Sequence, residues 1–325
     1  MDTAFHDGKN TLKTNYKDNV FYYEFKGNPL KQLSNPKSID FGLVPRHRRS
    51  FPSYYVPQDL LGRNSHRNFS YSSGNKSPLC LIKHGKFNDY VKQFWVGLLE
   101  GDGSVFVKRN RSNKVYAAFE ISLKYLNENE ELLKLISKHI GGNIFYEKKN
   151  KSIIKVKWAA YAAKDVKNCL NILNKYPLLT SRKICQLEHL NKCLVQKDCD
   201  YHLKTRNKKY DLQKEIVNSK NKKFIIPTYF NGWLSGFVEA EGSFRLRNNK
   251  ATSFYISQND DIYILNAIKN LFLSNHKIGI HKDSRYETIH YRISISGKPC
   301  ISRIKEHFSL FPLLGHKRLS FNVWN

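Results

Sequence analysis

Acidic residues are scarce in this chain relative to basic ones. Its 325 residues include 27 Asp and Glu against 55 Lys and Arg, which gives a formal net charge of +28 at pH 7. This excess goes well beyond what solubility needs and indicates a polyanionic partner. Nucleic acid is the favoured partner, because aromatic and β-prone segments alternate with the basic ones.

Long apolar runs and a disulfide pattern are also missing. No apolar stretch approaches the ~18 residues of a membrane-spanning helix, and we find no lipidation signal, so no membrane partner is expected. The six cysteines follow no disulfide spacing and no secretory signal is recognisable, which favours a reducing compartment. Cys193, Cys199 and His202 lie close in sequence, but their spacing matches no zinc pattern, so ordinary thiols are expected.

A stretch of the sequence occurs twice, as WVGLLEGDGS at residues 95–104 and as LSGFVEAEGS at residues 234–243. Each copy is typical of an apolar helix with two small residues four positions apart. Residues at this spacing share one helix face, and small side chains there let a second backbone approach closely. The predicted contact positions are Gly97, Gly101, Gly236 and Ala240.

Each repeated stretch ends in an acid followed by glycine. The acids are Asp102 and Glu241, and glycine beside the last turn commonly ends a helix. Two such helices packed side by side would bring the carboxylates together. Paired carboxylates suit a divalent cation, because such ions prefer oxygen ligands. A metal held in this way is an arrangement for in-line phosphodiester cleavage.

The pattern that follows the first acid is repeated after the second. Hydrophobic periodicity predicts the order α-β-β-α-β-β-α in both copies, and a Pro-Leu-Leu heptad closes each one, at residues 177–183 and 312–318. We infer an internal duplication and an α+β fold. The predicted organisation is a poorly ordered or accessory extension at 1–88, domains at 89–197 and 226–325, and a polar linker at 198–225 with some helix at 211–218.

Two helix starts are predicted from local signals. Asn88 is a suitable N-cap for the first repeated helix, and the pair Asp260-Asp261 suits the start of a later one.

Basic residues alternate with apolar ones along the predicted strands. Alternate residues face opposite sides of a sheet, so the apolar set would pack on helices and the basic set would form one outer face. Two such sheets side by side would make a basic saddle for a DNA duplex. The apolar set is Val105, Val107, Phe244, Leu246, Ile289, Tyr291 and Ile293, and the predicted DNA-binding set is Lys108, Arg109, Arg111, Lys114, Lys155, Lys157, Arg245, Arg247, Lys250 and Arg292.

The repeated stretches resemble the signature of the double-motif LAGLIDADG homing endonucleases. Residues 95–103 and 234–242 fill its nine positions, and the resemblance extends over about residues 88–325. It implies two tandem, pseudo-symmetric αββαββα domains whose antiparallel sheets form a DNA-binding saddle. It also implies that Asp102 and Glu241 bind Mg2+ (or Mn2+), with help from the backbone carbonyls of Gly101 and Ala240.

The same resemblance implies supporting catalytic residues. Gln258 matches a strand glutamine that positions water, although its counterpart in the first copy is Leu123. Arg182 and Lys317, in the two heptads, match a basic residue that acts near the scissile phosphates.

The expected function is metal-dependent hydrolysis of both strands of a long, asymmetric DNA site by a monomer. As implied by the resemblance, the protein would be encoded by a mobile intron, in a mitochondrion rather than a chloroplast. An intron-encoded maturase that binds intron RNA and assists group I splicing, alone or in addition, is the alternative. A basic DNA-binding regulator on the same scaffold is a third. Both acids are present, which favours cleavage.

Overall fold

The computed structural model describes residues 84–110, 112–246, 252–282 and 288–324. Within these ranges the predicted order α-β-β-α-β-β-α is found twice. In the first unit it comprises α1 (His84–Asp102), β1 (Gly103–Arg109), β2 (Val115–Lys124), α2 (Asn127–Ile140), β3 (Asn143–Lys149), β4 (Ser152–Ala160) and α3 (Ala163–Lys175), followed by α4 (Ser181–Gln196). The predicted α+β architecture is therefore confirmed.

The residues between the two units are largely helical. This connection contains α5 (Cys199–Thr205), a 3-10 turn and α6 (Gln213–Lys222), where the sequence predicted a polar linker with less helix. The Asp198 carboxylate accepts hydrogen bonds from the backbone N–H groups of Asp200 and Tyr201, which starts α5.

The second unit repeats the same elements with shorter strands. It comprises α7 (Phe230–Glu241), β5 (Gly242–Leu246), β6 (Thr252–Asn259), α8 (Ile262–Leu271), β7 (Gly279–Lys282), β8 (Ile289–Ser296), α9 (Lys298–Leu310) and α10 (Lys317–Trp324). The predicted domain boundaries stay a prediction. Most of the predicted extension, residues 1–83, lies outside the described residues, as do Arg111, Arg247 and Lys250.

Each unit has one four-stranded antiparallel sheet, in the order β1-β2-β4-β3 or β5-β6-β8-β7. The two sheets begin in the same register, with Gly103 opposite Ile121 and Gly242 opposite Ile256. Val105 and Val107 are buried, as predicted. The prediction for Leu246 is wrong, because this side chain is 52% exposed. Leu246 is the last described residue of β5, at the end of the strand away from α7.

Helices α1 and α7 pack together through glycine, as the spacing of small residues predicted. A Cβ atom added to Gly97 would lie 1.9 Å from the carbonyl oxygen of Trp233. One added to Gly236 would lie 1.8 Å from the carbonyl oxygen of Phe94. The two backbones therefore approach too closely for any larger residue. Both helices carry fully buried side chains, so their apolar residues pack in the hydrophobic core.

One helix start differs from its prediction, whereas glycine directly follows both signature helices as predicted. Helix α1 begins at His84, so Asn88 is not its N-cap; the Asn88 Oδ1 atom lies 3.1 Å from Nδ1 of His139 instead. Gly242 directly follows the last residue of α7, and its backbone there is extended (φ −81°). Glycine is needed after each acid for space, since a Cβ on Gly103 would lie 2.6 Å from the carbonyl oxygen of Leu99.

No helix in the ranges described above is both long and apolar enough to cross a membrane.

Candidate active site at the joined ends of two helices

The two signature acids meet where α1 and α7 end. Asp102 is the last residue of α1 and Glu241 is the last residue of α7. A Cβ atom placed on Gly101 would lie 2.2 Å from Cβ of Ala240 and 3.5 Å from Oε1 of Glu241. The Glu241 carboxylate thus lies against the end of the other helix. Asp102 is exposed and Glu241 is half-buried, so solvent and ligands can reach both carboxylates.

The electrostatics of the acids reflect their closeness. Although solvent reaches the Asp102 side chain, the surrounding protein removes part of the hydration of its carboxyl and raises its pKa, against the opposing effect of Lys317 and Lys183. Burial also raises the pKa of Glu241, and the negative charge of Asp102 adds to it, while the same two lysines oppose the shift. The two carboxylates therefore repel each other across a short gap. A divalent cation would relieve that repulsion.

Two lysines complete this cluster, and the sequence prediction identified one of them. The Lys317 ammonium donates hydrogen bonds to the carbonyls of Ala240 (2.6 Å) and Val238 (3.2 Å), at the end of α7. The Lys183 ammonium donates to the carbonyl of Gly103 (2.5 Å), just after Asp102. Burial lowers the pKa of both lysines, and the nearby acids act in the opposite direction.

The structure places Lys183, rather than Arg182, beside the two acids. A catalytic role for Arg182 stays a prediction. The guanidinium carbon of Arg182 lies 4.6 Å from the ring centre of Tyr210, in the connection between the units. The two heptads open their helices at different positions, α4 at Ser181 and α10 at Lys317. Residues matched by heptad position therefore do not point the same way. Aligning the heptads by their helix starts pairs Lys317 with Ser181, so this alignment would not have identified Lys183 either.

An earlier acid of the first signature holds the loop that leads to Lys183. The Glu100 carboxylate is buried and accepts hydrogen bonds from the backbone N–H groups of Leu179 and Thr180, and from Nε1 of Trp233 at 2.7 Å. Burial raises the Glu100 pKa, and these donors oppose that shift. No role for Glu100 was predicted from the sequence.

Its counterpart in the second signature is Glu239. This buried carboxylate accepts hydrogen bonds from the N–H groups of Gly315 (3.1 Å) and Lys317 (2.8 Å). The sequence did contain a signal for these two residues, because each signature has an earlier acid two residues before its catalytic candidate. On a helix, residues two apart point to nearly opposite sides, so one acid reaches the solvent and the other the protein interior.

Gln258 lies in a different network from the two acids. Its Nε2 donates to Oδ2 of Asp261 (3.3 Å), which also accepts the backbone N–H of Ser181 (3.0 Å). Gln258 shares the helix-facing side of β6 with buried Ile256. A catalytic role for Gln258 stays a prediction. Helix α8 begins directly after the predicted Asp260-Asp261 pair, but the Asp261 side chain makes no cap hydrogen bond there. It accepts the N–H of Ser181 instead, at the start of α4 in the other unit.

The predicted DNA-binding residues of the first unit are partly paired with acids. Lys108 and Lys157 have their ammonium groups 2.9 Å and 3.7 Å from Oε1 of Glu120, and Lys155 lies 3.5 Å from the Glu147 carboxylate. Lys108 also lies over the ring of Tyr161, 3.8 Å from its centre. Two further predicted residues, Arg109 and Lys114, are exposed at the β1–β2 hairpin.

In the second unit, the predicted residues within the described ranges are Arg245 and Arg292. Both side chains are exposed. The Arg245 guanidinium lies over the ring of Tyr255, at 4.2 Å. DNA contact by any of these residues stays a prediction.

Comparison with known proteins supports the repeated architecture. A family model described as LAGLIDADG endonuclease matches residues 95–194 and 234–325, which include both signature stretches and both heptads. This chain belongs to the LAGLIDADG endonuclease family. The resemblance inferred from the two signature stretches is thereby confirmed.

Several family members are clearly similar in sequence. A probable intron-encoded endonuclease aI3 of Dictyostelium citrinum is 38% identical over 232 residues, covering 71% of this chain and 92% of that protein. A protein of the same description from Debaryomyces hansenii is 32% identical over 285 residues, covering 78% of this chain but only 40% of that protein. This chain thus corresponds to less than half of the second relative.

Solved structures agree with the fold. The LAGLIDADG homing endonuclease I-LtrWI, bound to its target DNA, superposes with a TM-score of 0.52 at 18% identity, covering 73% of this chain and 89% of that one. I-AabMI, bound to uncleaved DNA, gives a TM-score of 0.51 at 18% identity and covers 72% of this chain. At this level of identity the similarity concerns the fold.

Proposed function

We propose that this protein is a site-specific endonuclease that hydrolyses both strands of a DNA duplex. One observation carries the proposal: Asp102 and Glu241, the last acids of two helices from different units, lie together at one solvent-accessible point beside Lys183 and Lys317. Two carboxylates flanked by two ammonium groups suit phosphodiester hydrolysis, in which negative charge develops at the reacting phosphate.

The acids fit a divalent cofactor, for which we propose Mg2+ or Mn2+. Asp102 and Glu241 supply carboxylate oxygens, the ligands that these ions prefer. The carbonyl of Gly101 is a further candidate, whereas the carbonyl of Ala240 already accepts a hydrogen bond from Lys317 at 2.6 Å. When bound, such a cation supplies an activated water and stabilises charge on the phosphate oxygens.

The lysines position the helix ends and add positive charge. Each ammonium group binds a backbone carbonyl next to one acid, Gly103 for Lys183 and Ala240 for Lys317. Both are held in place by the loops that Glu100 and Glu239 anchor. We propose that Lys183 and Lys317 stabilise the developing charge on the scissile phosphates, one in each unit.

The outer faces of the two sheets are the proposed DNA surface. The net charge of +28 provides the long-range attraction to the phosphate backbone. Arg245 and Arg292, with Lys108, Lys155 and Lys157, place basic groups on these outer faces. The two units present different side chains in one chain, so a monomer can read a long asymmetric site.

The gene context is also a proposal. The relatives named above are described as probable intron-encoded endonucleases, and one was found in Dictyostelium citrinum. We propose that this protein is likewise intron-encoded, that it promotes movement of its intron, and that it acts in a mitochondrion. The names of these relatives lend no support to the maturase alternative, and we do not propose it.

The test uses the full-length protein and a plasmid that carries the intron-less form of the host gene. With Mg2+ or Mn2+, the wild type should linearise the plasmid at one site. Asp102→Asn and Glu241→Gln should bind the same DNA but cut it at least about 1,000-fold more slowly, because each change removes a carboxylate at the charged centre. Asp211→Asn, which alters an exposed acid in the connection, is the matched control.

Cleavage by both acid variants at the wild-type rate would overturn the proposal. So would a wild type that binds DNA but makes no specific cut with either metal.

A further inference from the structure

A second group of metal-ligand side chains lies away from the acids, where α4 meets α5. His189 and Cys193 are one turn apart on α4, so they share one helix face. His202, from α5, faces them across the contact. The side chains of His189 and Cys193 are buried and that of His202 is half-buried. The three side chains bring two imidazole nitrogens and one thiol sulfur to one point.

The distances within this group are those of a metal coordination sphere. Nε2 of His189 lies 3.1 Å from Nδ1 of His202, and Sγ of Cys193 lies 3.5 Å and 3.8 Å from these two nitrogens. Around a tetrahedral Zn2+, two nitrogen ligands are separated by about 3.3 Å, and a sulfur and a nitrogen by about 3.6 Å. One point therefore lies at bonding distance from all three atoms without a change of backbone.

The donor types select the metal. Thiolate and imidazole suit Zn2+, whereas Mg2+ and Ca2+ require oxygen ligands. Arg206 and Lys209 border the same region, and their positive charge opposes any cation, so the choice of metal rests on the donor atoms alone. A cavity of about 210 Å³ adjoins the two histidines and gives solvent a route to the remaining coordination position.

We propose that His189, Cys193 and His202 bind one Zn2+ ion through Nε2, Sγ and Nδ1, with a solvent molecule as the fourth ligand. The ion fastens α5 to α4 and so fixes the start of the connection between the two units. On binding, the Cys193 thiol loses its proton to solvent and the metal takes its place. The site is separate from the acid pair and does not depend on the proposed nuclease activity.

This site revises the expectation from sequence. Cys199, which the spacing grouped with Cys193 and His202, is buried at the first position of α5 and is not one of the three converging residues. His189 takes its place. Sequence distance alone gave no reason to include His189, because it approaches His202 only through the packing of α5 on α4.

The test measures zinc in the full-length protein after equilibration with Zn2+ and removal of loosely bound metal. The wild type should retain one equivalent, and replacement by Co2+ should give the visible spectrum of a tetrahedral site with a thiolate-to-cobalt charge-transfer band. Cys193→Ala, His189→Ala and His202→Ala should each weaken zinc binding by at least about 100-fold, since changes of supporting residues alone cost about 10- to 100-fold. Zinc should also raise the Tm of the wild type but not of these variants.

Two control variants locate the bound zinc. Cys185→Ala removes another buried thiol from the same helix and should keep both zinc and the cobalt spectrum. The double variant Asp102→Asn/Glu241→Gln should also keep zinc, because its changes lie at the other site. Because His202 is only half-buried on a short helix, its variant tests metal binding even if Cys193→Ala fails to fold.

Three results would overturn the proposal. One is a wild type that retains no zinc, in which case the three groups form only hydrogen bonds with one another. The second is a His202→Ala variant that retains zinc and the cobalt spectrum unchanged. The third is loss of zinc from the acid-pair variant alone.

Discussion

The two units are most alike where they meet. Tyr90 of the first donates a hydrogen bond to the carbonyl of Pro312 in the second, at 2.5 Å, and Tyr229 of the second donates to the carbonyl of Pro177 in the first. Their helices exchange close contacts through glycine in the same reciprocal way. Each unit thus braces the loop that carries the other unit's lysine, so the acid pair belongs to both units jointly.

The units differ most on the outer faces of their sheets. Glu120 and Tyr255 occupy matching register positions, opposite Ser104 and Ser243. In the first unit Glu120 pairs with lysines, whereas in the second Tyr255 lies beneath the guanidinium of Arg245. The contacts between the two signature helices and their loops are thus nearly symmetric, whereas the outer surfaces differ. A protein that cuts at one point but reads two unlike half-sites would need this combination.

The largest effect is expected at the glycine contact. In Gly236→Ala the new Cβ would lie 1.8 Å from the Phe94 carbonyl oxygen, so the two helices must move apart. We expect a loss of about 3 kcal/mol or more in the free energy of unfolding, the upper end for overpacked cores. Urea unfolding followed by circular dichroism measures it.

Gly279→Ala is the control, because its Cβ would lie 3.3 Å from the flexible side chain of Arg292 and 3.7 Å, an ordinary contact distance, from its backbone oxygen. Equal unfolding midpoints for Gly236→Ala and the wild type would contradict the close helix contact.

The next effect distinguishes two adjacent residues. Lys183→Met should slow DNA cleavage by about 100-fold with little change in affinity, because it removes a positive charge beside the acids. Arg182→Met should slow cleavage by less than about 5-fold, as expected for an exposed cation that stacks on a tyrosine. Single-turnover cleavage together with a gel-shift assay measures both quantities. A larger loss of rate in Arg182→Met would restore the assignment made from sequence.

A third difference between the units concerns pH. His307 lies in the last turn of α9 at the position that Ile172 has in α3, since their carbonyls accept the N–H groups of the C-cap residues Phe311 and Tyr176. Burial lowers the pKa of His307 from 6.5 to about 3. Below pH 6.5 the His307 imidazole is therefore protonated in the unfolded chain but not in the folded chain. The free energy of unfolding falls as the pH drops through this range. On going from pH 7.5 to pH 5, His307 should lower the free energy of unfolding by about 2 kcal/mol.

His307→Leu gives the second unit an aliphatic residue, as in the first, and should remove this part of the pH dependence. Unfolding free energies measured at several pH values test it. The exposed His281 provides the control, since His281→Gln should keep the wild-type slope. An unchanged slope in His307→Leu would show that His307 is protonated in the fold.

The smallest effect concerns the two outer surfaces. Glu120→Gln should release Lys108 and Lys157 and strengthen DNA binding by about 5-fold, close to the ~1 kcal/mol of a surface ion pair. Arg245→Gln should weaken binding and reduce the slope of log affinity against log salt by about one, the value for one phosphate contact. Titrations at several salt concentrations measure both effects. Weaker binding by Glu120→Gln would mean that these lysines need their acid to contact DNA.

Sequence reasoning succeeded where a contact follows from a local period. The repeated signature predicted the meeting of Asp102 and Glu241, because small residues four apart define which helix face packs. It failed where side chains from distant segments converge. Lys183 reaches Gly103 from 80 residues away, and Asp261 caps α4 across the same separation. Such contacts depend on the relative placement of whole elements, which a single sequence does not encode by spacing.

The most direct test of a centre shared by both units is the cleavage of each strand by single-acid variants. A defined target duplex labelled on both strands would be incubated with wild type, Asp102→Asn or Glu241→Gln under single-turnover conditions. A shared centre predicts that either substitution slows cleavage of both strands by about 1,000-fold while binding persists. If each variant lost cleavage of one strand and cut the other at the wild-type rate, the two acids would belong to two independent centres.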